Sequence, residues 1–315
     1  MALARINRKL RLRDLDTLMA VVQTGGVRKA AEYLHLSQPA VSKAITELEA
    51  SLGVALLNRS RRGVTVTPFG EALIRRSKVI FDELHRAVDE LEHLADPSGG
   101  QVHMGCMETV NAGIVGAAIE QLAPRFPRLR VHIESGDSTH LIAHFLRERV
   151  CEFIIARPYA LPLPLGVLGE PLWCDRLRVV VGMASPFARR RRVSLAELTN
   201  ERWVLSNNEV NPDSPIVAGF AALGLPFPAC FTITSSLNLR FKLLASGQFI
   251  TLMPDSLLHF STHRSSMRIL PIELPRWRTP TMILTLQDRV LGPAAGIFLD
   301  KVRTLARPLG ASLQG

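Results

Sequence analysis

The sequence predicts a chain of two structural classes: an all-α N-terminal region that ends in one long helix, and an α/β C-terminal region. Three observations carry this prediction. Residues 14–67 hold short helical patterns around a basic turn. Residues 68–95 keep one helical pattern, which Asp96-Pro97-Ser98-Gly99-Gly100 breaks. From residue 101 onward, β-rich apolar runs alternate with helical stretches, the order expected of parallel sheets with helices on their faces. Two such alternating units in tandem predict two lobes with a cleft between them.

Composition limits the class of protein. A chain of 315 residues is long for one domain and ordinary for two or three. The 47% of hydrophobic residues can form real cores, and the four cysteines form neither a CxxC pair nor a disulfide framework. No run approaches the ~20 apolar residues of a membrane helix, and Asp14 and Asp16 interrupt the position where an export signal is apolar. We therefore expect a cytoplasmic chain with no membrane partner.

The positive charge is concentrated at one end. The formal net charge is +10, and residues 1–70 hold eleven basic and five acidic residues, a net of +6. The remaining 245 residues carry a net of only +4. Asymmetry of this kind points to a module at the N-terminal end that binds nucleic acid or a membrane surface.

Residues 27–52 predict two helices joined by a short turn. Ser37 is a good N-cap for the second helix, and Pro39 is tolerated in its first turn because its missing N–H has no partner there. Apolar residues then recur at intervals of four, three and four along the second helix: Val41, Ile45, Leu48 and Leu52. This is the helix-turn-helix arrangement, and an earlier helix over 15–22 closes its core.

The opposite face of the second helix carries Gln38, Ser42, Lys43 and Thr46, which are side chains that can bond bases or phosphates. Taken alone, this face is equally compatible with an ordinary solvated helix surface. The next segment, residues 56–67, predicts two short strands around a basic turn. Such a wing would place Arg59, Arg61 or Arg62 on a phosphate or in a minor groove.

The runs AAEYLHLSQPAVSKAITELE and LGVALLNRSRRGVTVTPFGEAL closely resemble the winged helix-turn-helix of LysR-type transcriptional regulators. The similarity is close over residues 10–95, and the length and two-lobed remainder fit the family over the whole chain. The resemblance implies that the protein binds double-stranded DNA at an operator with two-fold symmetry. The predicted DNA-binding residues are Arg28, Lys29, Ser37, Gln38, Pro39, Ser42, Lys43, Thr46, Arg59, Arg61 and Arg62.

The long helix has a heptad pattern, with apolar or small residues spaced alternately by four and three. A helix that lies on its own domain is the alternative. The resemblance implies a dimerising linker instead, with an interface formed by Leu73, Ile80, Leu84 and Leu91. Family members commonly assemble further, so the expected states are a homodimer and a homotetramer.

The resemblance implies two Rossmann-like lobes of the periplasmic-binding-protein type, with a small effector bound between them. Such a site uses strand ends and helix N-termini, whose free N–H groups favour anions. The predicted effector-binding residues are Cys106, Met107, Glu108, Thr109, Ser138, Thr139, Ser206, Asn207 and Pro254. At each hydroxyl a simple helix cap is the alternative. A carboxylate is the family-level expectation for the effector, and no other cofactor is expected.

Other features favour no further activity. The run Arg189–Arg192 is interpreted as a solvated surface turn, and the scattered cysteines do not indicate a redox sensor. HExxH, Walker-A, GxSxG and GxGxxG strings are absent from the sequence, so we expect neither a metal site nor an enzyme.

The sequence therefore predicts an all-α winged helix-turn-helix over 10–67, a linker helix over 68–95 and an α/β effector domain over 96–315. Within that domain, the first lobe is expected over 100–169 and 275–315, and the second over 170–274. The predicted function is an effector-modulated, sequence-specific transcriptional regulator. The alternatives are a cytoplasmic solute-binding protein, which needs no DNA module, and an architectural DNA-binding protein, which needs no two-lobed domain.

Overall fold

The computed structural model describes residues 10–60, 63–159, 161–275 and 279–310. The chain divides into two compact units, residues 1–88 and 89–315, whose boundary falls inside one long helix. Within the described ranges, no helix is long and apolar enough to cross a membrane.

The N-terminal unit contains three short helices, a two-stranded hairpin and the start of a long helix. In chain order these are α1 (Leu12–Thr24), α2 (Val27–Tyr33), α3 (Gln38–Leu52), β1 (Leu57–Ser60), β2 (Gly63–Val66) and α4 (Pro68–Ala95). The Ser37 side chain accepts a hydrogen bond from the N–H of Ala40, which confirms the predicted N-cap of α3. Strands β1 and β2 pair antiparallel, so the predicted wing is a hairpin.

Two local devices fix the hairpin on the helices. The Glu49 carboxylate of α3 accepts the backbone N–H groups of Leu56 at 2.8 Å and Leu57 at 3.1 Å. At the start of α4, Gly70 lies so close to the hairpin that a Cβ there would be 2.2 Å from the carbonyl oxygen of Leu56. Glycine is therefore required at position 70, because any side chain would push α4 away from the hairpin.

The C-terminal unit consists of two lobes, each built on a five-stranded sheet. The first sheet has the order β4-β3-β5-β12-β6, with β3 (Gly99–Cys106), β4 (Arg128–Ser135), β5 (Phe153–Ala156), β6 (Val167–Trp173) and β12 (Thr281–Leu286). The second has the order β11-β7-β10-β8-β9, with β7 (Leu177–Gly182), β8 (Arg202–Leu205), β9 (Phe231–Ile233), β10 (Phe249–Pro254) and β11 (Met267–Ile269).

Helices cover these sheets. In the first lobe they are α5, formed by Glu108–Val110, Asn111–Val115 and Gly116–Leu122, then α6, formed by Ser138–Leu141 and Ile142–Leu146, and finally α10 (Pro293–Gly310). In the second lobe they are α7 (Pro215–Ala222), α8 (Leu237–Ala245) and α9 (Asp255–Phe260). Phe153 and Phe298 are buried in the core of the first lobe, and Trp203 and Phe220 in that of the second. Each lobe therefore has its own hydrophobic core.

Both sheets are mixed, whereas the sequence pattern predicts parallel ones. Strands β3, β4 and β5 are parallel, but β12 pairs antiparallel with β5 and with β6. In the second sheet, β8 pairs parallel with β9 and β10, and β7 pairs antiparallel with β10 and β11. The prediction was incomplete because β12 joins the first sheet only after the chain has built the second lobe. Strands joined across such a distance need no βαβ crossover.

The boundary between the lobes also differs from the prediction. The second lobe was expected to begin at residue 170, but β6 remains paired with β12 as far as Trp173. The chain therefore crosses to the second lobe within residues 174–176, and Asp175 lies in this crossing segment. At its other end the second lobe extends to Leu274, which is still buried in its core as predicted, and the chain enters β12 of the first lobe at Thr281.

Candidate functional site

Helix α3 has one buried face and one solvent face. Val41, Ile45 and Leu48 are buried against the N-terminal core. Gln38, Lys43 and Thr46 are exposed, and Ser42 is half-buried. The Lys43 ammonium lies 3.7 Å from the Glu47 carboxylate, and the Thr46 hydroxyl donates to the backbone carbonyl of Ser42 at 3.0 Å. The predicted reading face of α3 therefore points to solvent and is not used in the core.

The remaining predicted DNA-binding residues surround this face. Arg28 and Lys29 are exposed in the first turn of α2, and Arg28 pairs with Glu32 at 3.6 Å. Ser37 and Pro39 are exposed at the start of α3, where Ser37 also serves as the cap. Arg59 lies in β1 of the hairpin, and the predicted contacts Arg61 and Arg62 lie outside the described residues.

The linker helix exposes part of its predicted seam. Ile80, Leu84 and Leu91 are exposed, and Leu91 retains 67% of its full accessible surface. Leu73 differs, because it is half-buried and packs against the core of the N-terminal unit. Its packing is therefore at least partly within its own domain, and the exposed apolar stripe extends instead through Val88 and Leu94.

A cavity of about 310 Å³ lies between the two lobes. Its walls come from the carboxyl ends of strands β3, β4 and β5 of the first sheet, and of β8, β9 and β10 of the second. Carboxyl ends of parallel strands are where open α/β sheets bind ligands, because loops and helix N-termini converge there. The geometry therefore marks this cavity as a small-molecule site.

Six of the nine predicted effector residues line the cavity: Met107, Glu108, Thr109, Ser206, Asn207 and Pro254. Cys106, Ser138 and Thr139 do not. The Cys106 side chain is buried in the core of the first lobe, and this burial raises the pKa of its thiol to about 12. Side chains alternate along a strand, so the residue before Met107 faces the core.

Ser138 and Thr139 lie outside the cavity lining for a related reason. The helix α6 is capped by Asp137, whose carboxylate accepts the N–H of His140 at 3.0 Å. Gly136 and Asp137 therefore face the cavity, while the helix then turns away from it. As a result, Ser138 is buried and Thr139 is exposed outside the lining.

Sequence reasoning missed a buried ion pair in the cavity wall. The Arg240 guanidinium of α8 donates to both carboxylate oxygens of Glu209, at 2.7 and 3.2 Å. Their side chains are only 3% and 8% exposed. Glu209 also accepts the N–H of Ser206 at 2.6 Å, and Arg240 donates to the carbonyl of Leu252 at 3.1 Å. This pair therefore fixes the loop after β8 against α8 and β10.

Asp175 and Arg157 form a second charged group at the crossing between the lobes. The Asp175 carboxylate accepts the indole N–H of Trp173 at 2.7 Å, and the N–H and hydroxyl of Ser256 at 2.9 and 2.8 Å. Burial raises the pKa of Asp175, and these hydrogen bonds oppose the rise. Burial lowers the pKa of the Arg157 guanidinium, and the charges of Asp175 and Glu209 act against that. Because Ser256 belongs to α9, Asp175 ties the crossing segment to the second lobe.

One side-chain contact spans the cavity. The phenol O–H of Tyr159, which follows β5 in the first lobe, donates to the amide oxygen of Asn208, which follows β8 in the second. Burial and the charge of Asp137 both raise the pKa of Tyr159, so the phenol keeps its proton for this bond. Both residues lie in loops, where the sequence offered no periodic pattern from which to find them.

Comparison with known proteins agrees with both parts of this geometry. A profile described as "Bacterial regulatory helix-turn-helix protein, lysR family" matches residues 12–71, and one described as "LysR substrate binding domain" matches residues 95–307. The chain is similar to the HTH-type transcriptional regulator PcaQ of Agrobacterium fabrum, with 27% identity over 96% of this chain and 97% of that protein.

Solved structures share the fold. ArgP from Mycobacterium tuberculosis superposes with a TM-score of 0.67 at 21% identity, over 94% of this chain and 97% of that one. Full-length CbnR in complex with its target DNA gives 0.61 at 18% identity, over 94% of this chain and all of that one. A solute-binding protein would lack the helix-turn-helix domain, and an architectural DNA-binding protein would lack the substrate-binding domain. The matched family consists of transcriptional regulators, which are not enzymes. The chain belongs to the LysR family of DNA-binding, effector-modulated transcriptional regulators.

Proposed function

We propose that this protein binds an operator as a homodimer through helix α3 and the hairpin, and that a small molecule in the cleft alters that binding. The observation that carries the proposal is the pairing, in one chain, of a polar, solvent-facing side of helix α3 with a cavity between two lobes that is lined in part by charged and hydroxyl side chains. By linkage, effector and operator then change each other's affinity by the same factor. DNA is the partner, so we place the protein in the cytoplasm.

The proposed division of labour separates base contacts from phosphate contacts. Gln38 can pair bidentately with adenine, whereas Lys29 is assigned to a phosphate because it belongs to α2, the first helix of the helix-turn-helix, which crosses the DNA backbone in this motif. Both side chains are exposed. Gln38→Ala should therefore weaken operator binding more than binding to a scrambled duplex. Lys29→Ala should weaken both equally and flatten the salt dependence by about one unit of slope.

The experiment is a titration of full-length protein by fluorescence anisotropy, with the operator first identified by genome-wide mapping of bound sites. Gln23→Ala is a matched control, because Gln23 is also exposed in the N-terminal unit but lies on α1. Equal losses on operator and scrambled DNA for Gln38→Ala would remove Gln38 from base reading. An unchanged Gln38→Ala variant would contradict the assignment of α3 as the reading helix.

The homodimer is proposed to form along helix α4. Its exposed apolar residues are spaced by three or four and so share one face, at Ile80, Leu84, Val88, Leu91 and Leu94. A second copy that covers this stripe would bring two α3 helices to one operator with two-fold symmetry. We further propose that dimers pair into a homotetramer.

Sedimentation equilibrium tests the dimer directly. The double variant Leu84→Glu/Leu91→Glu should shift the protein to monomer, because charges would be buried in the apolar seam. Leu165→Glu is the control, since Leu165 is 97% exposed and lies outside α4. An undiminished dimer in the double variant would exclude this helix as the interface.

A further inference from the structure

The charges that line the cleft are mostly negative. Among the described residues, four carboxylates line the cavity (Glu108, Asp137, Asp175 and Glu209), against two guanidiniums (Arg157 and Arg240). A site built for a simple carboxylate has the opposite balance, because an anion brought into a partly desolvated cleft needs cations or N–H donors that are not already engaged. The balance therefore bears on the class of ligand.

Acidic groups of the protein already act on both guanidiniums. Arg240 is held bidentately by Glu209, and Arg157 lies in the field of Asp175 and Glu209. Two carboxylates remain, Glu108 and Asp137, and within the described part of the chain neither forms an ion pair. The first lobe therefore presents two carboxylates to the cavity that have no cationic side chain among the described residues as a partner.

The positions of these two carboxylates matter as much as their number. Glu108 is the first residue of helix α5, so it occupies the helix end whose free N–H groups would otherwise attract an anionic effector. Asp137 caps α6, and its charge raises the pKa of Tyr159 in the cavity wall. Both helix N-termini of the first lobe that face the cleft are thus already supplied with a carboxylate.

The rest of the polar lining is uncharged. It consists of hydroxyl and amide side chains, among them Thr109, Tyr159, Ser206 and Asn207. Hydroxyls and amides of this kind both donate and accept hydrogen bonds, so they suit a ligand with several polar groups but impose no charge on it. Among the charged side chains of the lining, the sign is therefore set by Glu108 and Asp137, while the N-terminal end of α8, which lines the opposite wall at Ser236 and Leu237, has no acidic residue in its first turn.

We infer that the effector carries no net negative charge and donates hydrogen bonds, from hydroxyl or ammonium groups, to Glu108 and Asp137. This inference rests on the proposed function of the cleft and replaces the carboxylate expected from the family resemblance. A carboxylate accepts such bonds strongly, because charge-assisted hydrogen bonds are about twice as strong as neutral ones. A bare carboxylate ligand, by contrast, would meet like charge at both helix ends.

The test uses ligands that share one skeleton and differ in charge: glucose, glucosamine and gluconate, with butanol, butylamine and butyrate as a second series. Binding to full-length protein is measured by calorimetry in the wild type, in Glu108→Gln and Asp137→Asn, and in the control Glu120→Gln. Glu120 is exposed on α5 and does not line the cavity. Asparagine at 137 can still cap α6, so the variant removes charge and not the helix cap.

We expect each neutralising variant to change the affinity for anionic ligands in one direction and the affinity for neutral or cationic ligands in the other. Each neutralising variant should weaken a neutral or cationic ligand by roughly tenfold and strengthen binding of the anionic one, with Glu120→Gln unchanged. The neutral and cationic members of each series separate a hydroxyl-bearing from an ammonium-bearing effector. A wild-type preference for gluconate or butyrate, weakened in the variants, would overturn the inference.

A second probe does not depend on the identity of the effector. Benzoate should bind the cleft of the double variant Glu108→Gln/Asp137→Asn at least tenfold more tightly than that of the wild type. Equal or tighter binding to the wild type overturns the inference. If a ligand showed the expected dependence on charge and still left operator affinity unchanged, that result would refute the proposed coupling between effector and operator. The inferred class of ligand would stand.

Discussion

The buried pair of Glu209 and Arg240 allows a quantitative test of how the cleft wall is held. Glu209→Gln keeps the shape of the side chain but removes its charge, which leaves the Arg240 guanidinium as an uncompensated buried cation. Removal of one partner of a buried, hydrogen-bonded pair costs about 3–5 kcal/mol. The burial of both side chains, 3% and 8% exposed, places this pair in that class.

The chain contains a matched surface pair. Arg303 donates two hydrogen bonds to Glu170 at 2.7 and 2.8 Å, so its geometry is as good as that of the buried pair. Its side chains are 40% and 46% exposed, however, and an exposed pair contributes about 0–1 kcal/mol. Glu170→Gln should therefore lower the free energy of unfolding by no more than about 1 kcal/mol. The difference between the two variants then measures how much burial adds to the cost of breaking an ion pair.

Native-state hydrogen exchange, read by mass spectrometry, is the appropriate assay because peptides from each lobe report that lobe separately: β8 and β10 for Glu209→Gln, and β6 and β12 for Glu170→Gln. A loss of 3–5 kcal/mol raises exchange through opening by about two to three and a half powers of ten. The double variant Glu209→Leu/Arg240→Met should recover most of this loss, because it leaves no buried charge unpaired. If Glu209→Gln and Glu170→Gln proved equally mild, the assignment of the pair as the clamp of the cleft wall would be wrong.

Three further outcomes are expected. Gly70→Ala should destabilise the N-terminal unit by about 1–3 kcal/mol in thermal unfolding, because its Cβ would lie 2.2 Å from the Leu56 carbonyl oxygen. Burial holds the pKa of the Cys106 thiol at about 12 against an ordinary 9.0. The thiol therefore stays protonated in the folded chain, and stability that is complete below pH 9 should fall as pH rises towards 12, by about 1.4 kcal/mol per pH unit. Iodoacetamide at pH 8 should accordingly label the exposed Cys230 and spare Cys106. Raising salt from 50 to 200 mM should weaken operator binding by orders of magnitude but change the binding of an uncharged effector little.

Each of these outcomes has a direct contradiction. A Gly70→Ala variant as stable as the wild type would mean that α4 can move away from the hairpin without cost. Between pH 9 and 11, the free energy of unfolding should fall less steeply with pH in Cys106→Val than in the wild type. Equal slopes in the two proteins would show that Cys106 is not the source of the pH dependence. Salt-independent operator binding would exclude phosphate contacts as a main source of affinity.

The sequence was sufficient to predict a structural feature wherever the interaction that determines the feature joins residues close together in the chain. Ser37 and Pro39 indicate the start of α3 because an N-cap and a first-turn proline act within four residues. Where the determining contact is distant, the pattern carried no signal. Gly70 belongs to the motif that resembles the family, but the reason for it, the carbonyl of Leu56, emerges only from the packed hairpin. Glu209 and Arg240 are 31 residues apart and meet because β8 and α8 share one lobe.

The candidate effector site shows a second limit of prediction from sequence, because the pattern did not fix which face of a strand each side chain lies on. Cys106 and Met107 were both predicted to bind the effector, yet at the end of β3 a one-residue difference decides whether a side chain enters the core or the cleft. Cys106 is in the core and Met107 lines the cavity. At residues 137–139 the helix cap decides the orientation in the same way, since Asp137, which caps α6, is also the residue that lines the cavity.

The distribution of charge links the two binding events. The net +6 of residues 1–70 belongs to the segment that contains helix α3 and the hairpin, whereas the cleft lining bears more carboxylates than guanidiniums. If both sites were positively charged, free anions would compete with DNA at one site and with an anionic effector at the other, because both sites would attract anions. Opposite signs remove that competition. Under the proposed function, the effector then influences the operator through a change in the lobes or in the dimer, and reciprocal titrations of the two ligands would measure this coupling.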